Sequence, residues 1–153
     1  MKIIKAESAG FCFGVKRAMQ MASDELDDKS TEVYSLGPLI HNKQAVSKYE
    51  EKGLKVVEEI ENIPSNERVI IRSHGVGENI YNEAETKSVK IVDTTCPYVK
   101  KIHKIVNDFY KKGYKIIIIG NKIHPEVVGI NGWCDNSAIV IKNVDDIDNI
   151  EFD

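Results

Sequence analysis

Residues 90–113 read KIVDTTCPYVKKIHKIVNDFYKKG, and the fold follows from that stretch. Lys90 to Val92 has the β-branched content of a short strand. A helix should then run from Pro97 to about Lys112, with proline in its first turn and Gly113 just past its end. Cys96 lies between the two, where a strand stops and a helix starts.

The same arrangement recurs in both directions along the chain. Cys12 follows KIIKAESAGF, His41 follows VYSLGPLI, His74 ends VIIRSH, and His124 follows KIIIIGNKI. From Cys12 through His41, His74 and Cys96 to His124 the gaps are 29, 33, 22 and 28 residues. Those intervals are close to the roughly 30 residues of a strand-plus-helix unit. Short strands are expected at Lys2–Ala6, Val33–Leu36, Leu54–Val57, Val69–Arg72, Lys90–Val92, Lys115–Ile119 and Ala138–Ile141. Helices are expected at Val15–Leu26, Lys43–Glu51, through Tyr81 and Ala84, at Pro97–Lys112, and from about Pro125. Strands alternating with helices predict an α/β fold of parallel sheets flanked by helices. In such sheets ligands bind at the carboxyl ends of the strands, the rim where all five residues are expected.

Residues 1–96 read as a first α/β lobe and 97–153 as an incomplete second one, with the long helix after Cys96 as the seam. VDDIDNIEFD at the end reads as a connection to a further strand, so Asp153 reads as a cut. An open sheet edge there would be a place for a second copy to pair.

Bulk properties exclude several classes. A net charge of −3 gives no field for nucleic acid. Val99, Ile102, Val106 and Phe109 are spaced for a buried helix face, which makes the lysines between them, and His103 beside Lys101 and Lys104, solvent-facing. No apolar run approaches a membrane span, and the N-terminus lacks the apolar stretch of a secretory signal. Three widely spaced cysteines make a poor disulfide framework and suit a reducing cytoplasm.

Cys12, in AGFCFGVKR, is open to two readings: a buried small hydrophobe, or a thiolate at a helix N-terminus, where the macrodipole favours the anion. Gly10 and Gly14 would let backbone approach a bulky group. Cys96, in DTTCPYV, repeats that setting, and the pair together favours a soft metal or iron–sulfur centre. Cys134 lies about ten residues into the unit that opens at His124, too far from the rim to be a ligand, and is expected to be structural. His41, His74 and His124 at strand ends, with Gly75 and Gly77 nearby, suit a phosphate or diphosphate. Glu126 is either a first-turn carboxylate favouring its helix or a proton relay in the same pocket.

GFCFGVKRA, GPLIHN, RSHGV, DTTCP and IHPEVVG, in this order and spacing, resemble the N-terminal half of the LytB family, the 4-hydroxy-3-methylbut-2-enyl diphosphate reductases. The resemblance implies three α/β lobes around a [4Fe-4S] cluster held by three cysteines. Cys12 and Cys96 then correspond to two of the ligands, and residues 1–13 pack with the third lobe, which holds the third cysteine. It implies that His41, His74 and His124 face the substrate diphosphate and that Glu126 supplies protons to the departing hydroxyl. The implied reaction is a reductive dehydroxylation giving isopentenyl and dimethylallyl diphosphates, the last step of the methylerythritol phosphate route. Its electrons come from a ferredoxin or flavodoxin. With the third cysteine absent, these 153 residues are expected to be inactive alone. The alternatives are a folding module without a cluster and a zinc-binding phosphate-site domain using Cys12, Cys96 and a histidine.

Overall fold

The structure, a computed structural model, describes residues 1–150, apart from the side chains of residues 148 and 149. In chain order the elements are α1 (Phe13–Asp27), β1 (Val33–Leu36), α2 (Lys43–Glu50), β2 (Lys55–Val57), β3 (Arg68–Ile71) and α3 (Glu78–Thr86). They continue with β4 (Lys90–Asp93), α4 (Pro97–Tyr110), β5 (Ile117–Ile119), α5 (Pro125–Asn131) and β6 (Ile139–Ile141). All strand pairs are parallel. One sheet has the order β2-β1-β3-β4 and the other pairs β5 with β6. The α/β class with parallel sheets and flanking helices is as the alternation implied.

Helices cover both faces of the larger sheet, so β1 and β3 are buried at every residue and their sequences, VYSL and RVII, run apolar almost without alternation. Val33, Ile70 and Val92 pack with Ala22 and Leu26 of α1 and Val46 of α2. Tyr34, Val69 and Ile71 face the other way, towards Ala84 of α3 and Ile60 and Ile63. Arg68 ties the end of α1 to β3. Its guanidinium bonds Glu25 at 2.8 Å, Asp28 at 3.1 Å and the carbonyls of Asp28 and Thr31, so a buried charge is fully partnered. The smaller sheet has its own core of Val106, Ile118, Ile130 and Cys134. No helix among the described residues is long and apolar enough to cross a membrane.

Three expectations need correction. Lys2–Ala6 forms no strand; the first ten residues are exposed, and no neighbouring strand offers them a ladder. His103 is 3% exposed rather than solvent-facing. The buried stripe of α4 runs Val99, His103, Val106, leaving Ile102 and Phe109 at its edge, 40% and 42% exposed. The imidazole fills space beside Gly75, where any Cβ would overlap it, and stacks on Trp133 with centroids 5.5 Å apart. A lysine-flanked histidine read as polar is therefore a packing residue. Of the trailing connection, Val144–Asn149 is a 3-10 turn closed by a capping box between Asn143 and Asp146; residues 151–153 lie outside the described residues.

Candidate functional site

Between β1 and β3 the strand order reverses direction, because the chain leaves β1 towards β2 on one side and enters β3 on the other. Connections from the carboxyl ends diverge at such a point and open a crevice. His41 follows β1 and His74 follows β3, so the two flank it. The His41 loop is anchored by buried Leu39 and Ile40, and it ends at Asn42, whose side chain accepts the Ala45 N–H at 2.9 Å and starts α2. The His74 loop is a tight turn in which Gly75 N–H donates to the Arg72 carbonyl at 3.0 Å, with Gly75 at φ +72°.

His124 arrives from the carboxyl end of the other sheet, as the cap of α5. The three imidazoles meet. Ring centroids of His41 and His74 are 4.5 Å apart, and His124 lies 5.9 Å from each. His124 Nδ1 accepts the Glu126 N–H at 3.2 Å, which leaves Nε2 as the proton-bearing nitrogen of the neutral ring. His74 Nδ1 is buried without a partner. Burial first, then the nearby charges of His41, Arg72 and His124, push His74 down to about 4. His74 is therefore neutral at pH 7. Glu126 is half-buried in the first turn of α5, beside His124.

The two cysteines take equivalent places. Cys12 is the N-cap of α1 and Cys96 the N-cap of α4, both with extended or non-helical backbone and neither using its thiol to cap. They belong to one neighbourhood: a Cβ added at Gly14 would lie 2.8 Å from Cys96 Sγ, so only glycine lets α1 approach this closely. Arg17, one turn further along α1, donates to the carbonyls of Thr94 at 3.4 Å and Thr95 at 3.3 Å and holds the strand-to-helix loop before Cys96. Cys96 N–H donates to the Ser73 carbonyl at 2.9 Å, which puts Cys96 next to the His74 turn. Thr94 Oγ1 donates to the Ile71 carbonyl at 2.6 Å and closes the same junction.

Cys134, by contrast, is fully buried in the smaller core, and its thiol donates to the Asn131 carbonyl at 3.2 Å. Among the described residues no group of three His, Cys, Asp or Glu donors is placed to hold a metal ion. Two thiols on helix N-termini, one cradled against a glycine, fit part of a ligand set for a thiolate-bound cluster. Sequence reasoning missed Arg17, Thr94 and Arg72. Their types and spacing carry no motif, and their roles come from loops that fold together from distant parts of the chain.

The protein-family model described as LytB protein matches residues 3–153. The chain is 65% identical over 153 residues to the 4-hydroxy-3-methylbut-2-enyl diphosphate reductase of Clostridioides difficile strain 630, covering 100% of this chain and 55% of that protein. It is 50% identical over 155 residues to the protein of that name from Caldanaerobacter subterraneus, covering 99% and 54%. Among solved structures it is similar to the E-1-hydroxy-2-methyl-but-2-enyl-4-diphosphate reductase from Plasmodium falciparum, with a TM-score of 0.91 and 31% identity over 96% of this chain and 46% of that one. A second solved structure, (E)-4-hydroxy-3-methyl-but-2-enyl diphosphate reductase, gives a TM-score of 0.81 and 41% identity over 96% and 53%. The chain spans about half the length of the curated relatives it matches.

Proposed function

The chain belongs to the LytB family, and from that premise we propose that it carries the N-terminal half of the active site of a 4-hydroxy-3-methylbut-2-enyl diphosphate reductase. The observation that supports this reading most is the meeting of His41, His74 and His124 in the β1/β3 crevice, beside two cysteines at helix N-caps. The substrate is an allylic diphosphate bearing a terminal hydroxyl. Two electrons and two protons remove that hydroxyl as water and leave isopentenyl or dimethylallyl diphosphate.

Within that reaction the imidazoles receive the diphosphate. His124 donates from Nε2 because its Nδ1 is occupied by the Glu126 amide. A dianion beside His74 would favour the imidazolium that burial now disfavours. Glu126 is the carboxyl that relays a proton to the departing hydroxyl. Cys12 and Cys96 would be two thiolate ligands of a [4Fe-4S] cluster, with the third supplied from outside these residues. When bound, the cluster supplies electrons and an iron that acts as a Lewis acid on the hydroxyl. Arg17 and Gly14 set the separation of the two thiolates. The electron donor is a ferredoxin or flavodoxin, and the compartment is a reducing cytoplasm, in keeping with three unpaired thiols. The two sheets support a division into lobes at residues 1–96 and 97–153, with residues 1–13, largely exposed, packing on the remaining half.

A chimera tests this reading: the chain replaces the matching half of the Clostridioides difficile reductase, to which it is 65% identical. The expected result is a brown anaerobic protein that converts the allylic diphosphate with a reduced dye. Cys12→Ser and Cys96→Ser should lose iron and acid-labile sulfide together. Full iron content in both variants would remove these cysteines from the site.

A further inference from the structure

Arg72 ends β3 and differs from the chain's other inward arginine. Arg68 has five hydrogen bonds through its guanidinium; Arg72 makes none among the described residues, has no ion pair within 4.0 Å, and its Nε is shut off from solvent. The side chain is half-buried and Glu58 acts on it electrostatically, but its buried Nε lacks an acceptor, which leaves a place for an anionic one. The space for one exists. A cavity of about 300 Å³ is lined by Arg72 together with Gly37, Glu58, Asn79, Pro125 and Gly129, and by none of the three imidazoles or two rim cysteines.

The walls say which acceptor. A Cβ at Gly37 would lie 2.7 Å from Arg72 Nη1, so glycine there leaves the planar donor fork room to sit against backbone. α3 starts at the same cavity, and its N-cap is Gly77, which supplies no side-chain acceptor to the first-turn amides. Those features favour an oxyanion. Glu58 also lines the cavity and acts electrostatically on Arg72, and a carboxylate facing an anion repels it unless the anion carries an O–H to donate. The volume lies at the lower end for ligand sites, enough for such an ion with residual water. α5 closes the cavity through Pro125 and Gly129, so an occupant would join the larger sheet to the element carrying His124.

We propose that this cavity is a second anion site, selective for hydrogen phosphate, in which Arg72 holds the oxygens and Glu58 accepts the ligand's O–H. It is independent of the diphosphate reading of the imidazoles. The test is calorimetric titration of inorganic phosphate, with sulfate as the anion that has no proton to give. Phosphate should bind the wild-type chain, and Arg72→Gln should weaken it by about tenfold or more, the effect of losing a charge-assisted pair. Glu58→Gln should narrow the preference for phosphate over sulfate. If Arg72→Gln does not fold, the 15N resonance of Arg72 Nε in the wild-type chain gives the same answer by shifting on phosphate addition. Phosphate affinity unchanged in folded Arg72→Gln, or a silent Nε resonance, would overturn the proposal. So would phosphate shifts confined to the ring resonances of His41, His74 and His124, which would place the ion among the imidazoles and leave the diphosphate reading standing.

Discussion

Acid should weaken the fold through His103, and the size of the effect can be worked out. Burial pushes this imidazole from 6.5 down to about 4, Asp93 opposes the shift, and Lys100 adds to it. The ring stacks on Trp133 and its Nε2 has no partner. Above pH 6.5 the group is neutral in both states and its burial is unpenalised. As pH falls below 6.5 the unfolded chain takes up a proton that the folded chain refuses until about pH 4, so stability is lost across that window. A shift of this size corresponds to about 2 kcal/mol lost by pH 5 and about 3 kcal/mol by pH 4. His103→Phe keeps an aromatic ring against Trp133 and removes the titration. Urea unfolding of both chains at pH 7 and pH 5 reads the difference directly. Wild type should lose roughly 2 kcal/mol more than the variant between the two pH values. An equal loss in both chains would refute the reasoning, because His103 would then titrate normally despite its burial.

Other perturbations have defined outcomes. Gly14→Ala should lower stability by about 1 kcal/mol or more, despite alanine's better helix propensity, because its Cβ meets Cys96 Sγ at 2.8 Å; a thermal melt that rises instead would mean the thiol simply turns away. Arg68→Met should cost about 3 kcal/mol by chemical denaturation, since it strips Glu25, Asp28 and Thr31 of a shared donor. Cys134→Ala should cost about 1 kcal/mol through a small cavity and leave the iron content of the chimera untouched; lost iron would reopen Cys134 as a ligand. In the same chimera, Glu126→Gln should abolish turnover while substrate still binds, and near-normal turnover would remove its role as proton donor.

Much of the fold was readable from punctuation. KIVDTTCP marks a strand end, a helix start and a cysteine between them, and the repeats of that signal locate β1, β3, β4 and β5 within two residues of where they form. His41, His74 and His124 were readable as rim residues for the same reason, although their close meeting depends on the strand order, which local patterns do not encode. Lys2–Ala6 was misread because alternating apolar residues make a strand only when a neighbour completes the ladder. His103 was misread because charge on adjacent residues says little about which side of a helix faces inward; the cavity beside Gly75 decides that. Arg17 and Arg72 carried no signal at all, since what matters in each is the backbone it meets, or fails to meet, from a distant segment.

The central claim is that three histidines from three separate strand ends form one anion site. Titrating the 153-residue chain with inorganic diphosphate, while following the four histidine ring resonances by NMR, tests it most directly. His41, His74 and His124 should shift together, His74 should titrate well above its starting value of about 4, and His103 should remain still. Three silent rim histidines at saturating diphosphate, or a response confined to His103, would contradict it.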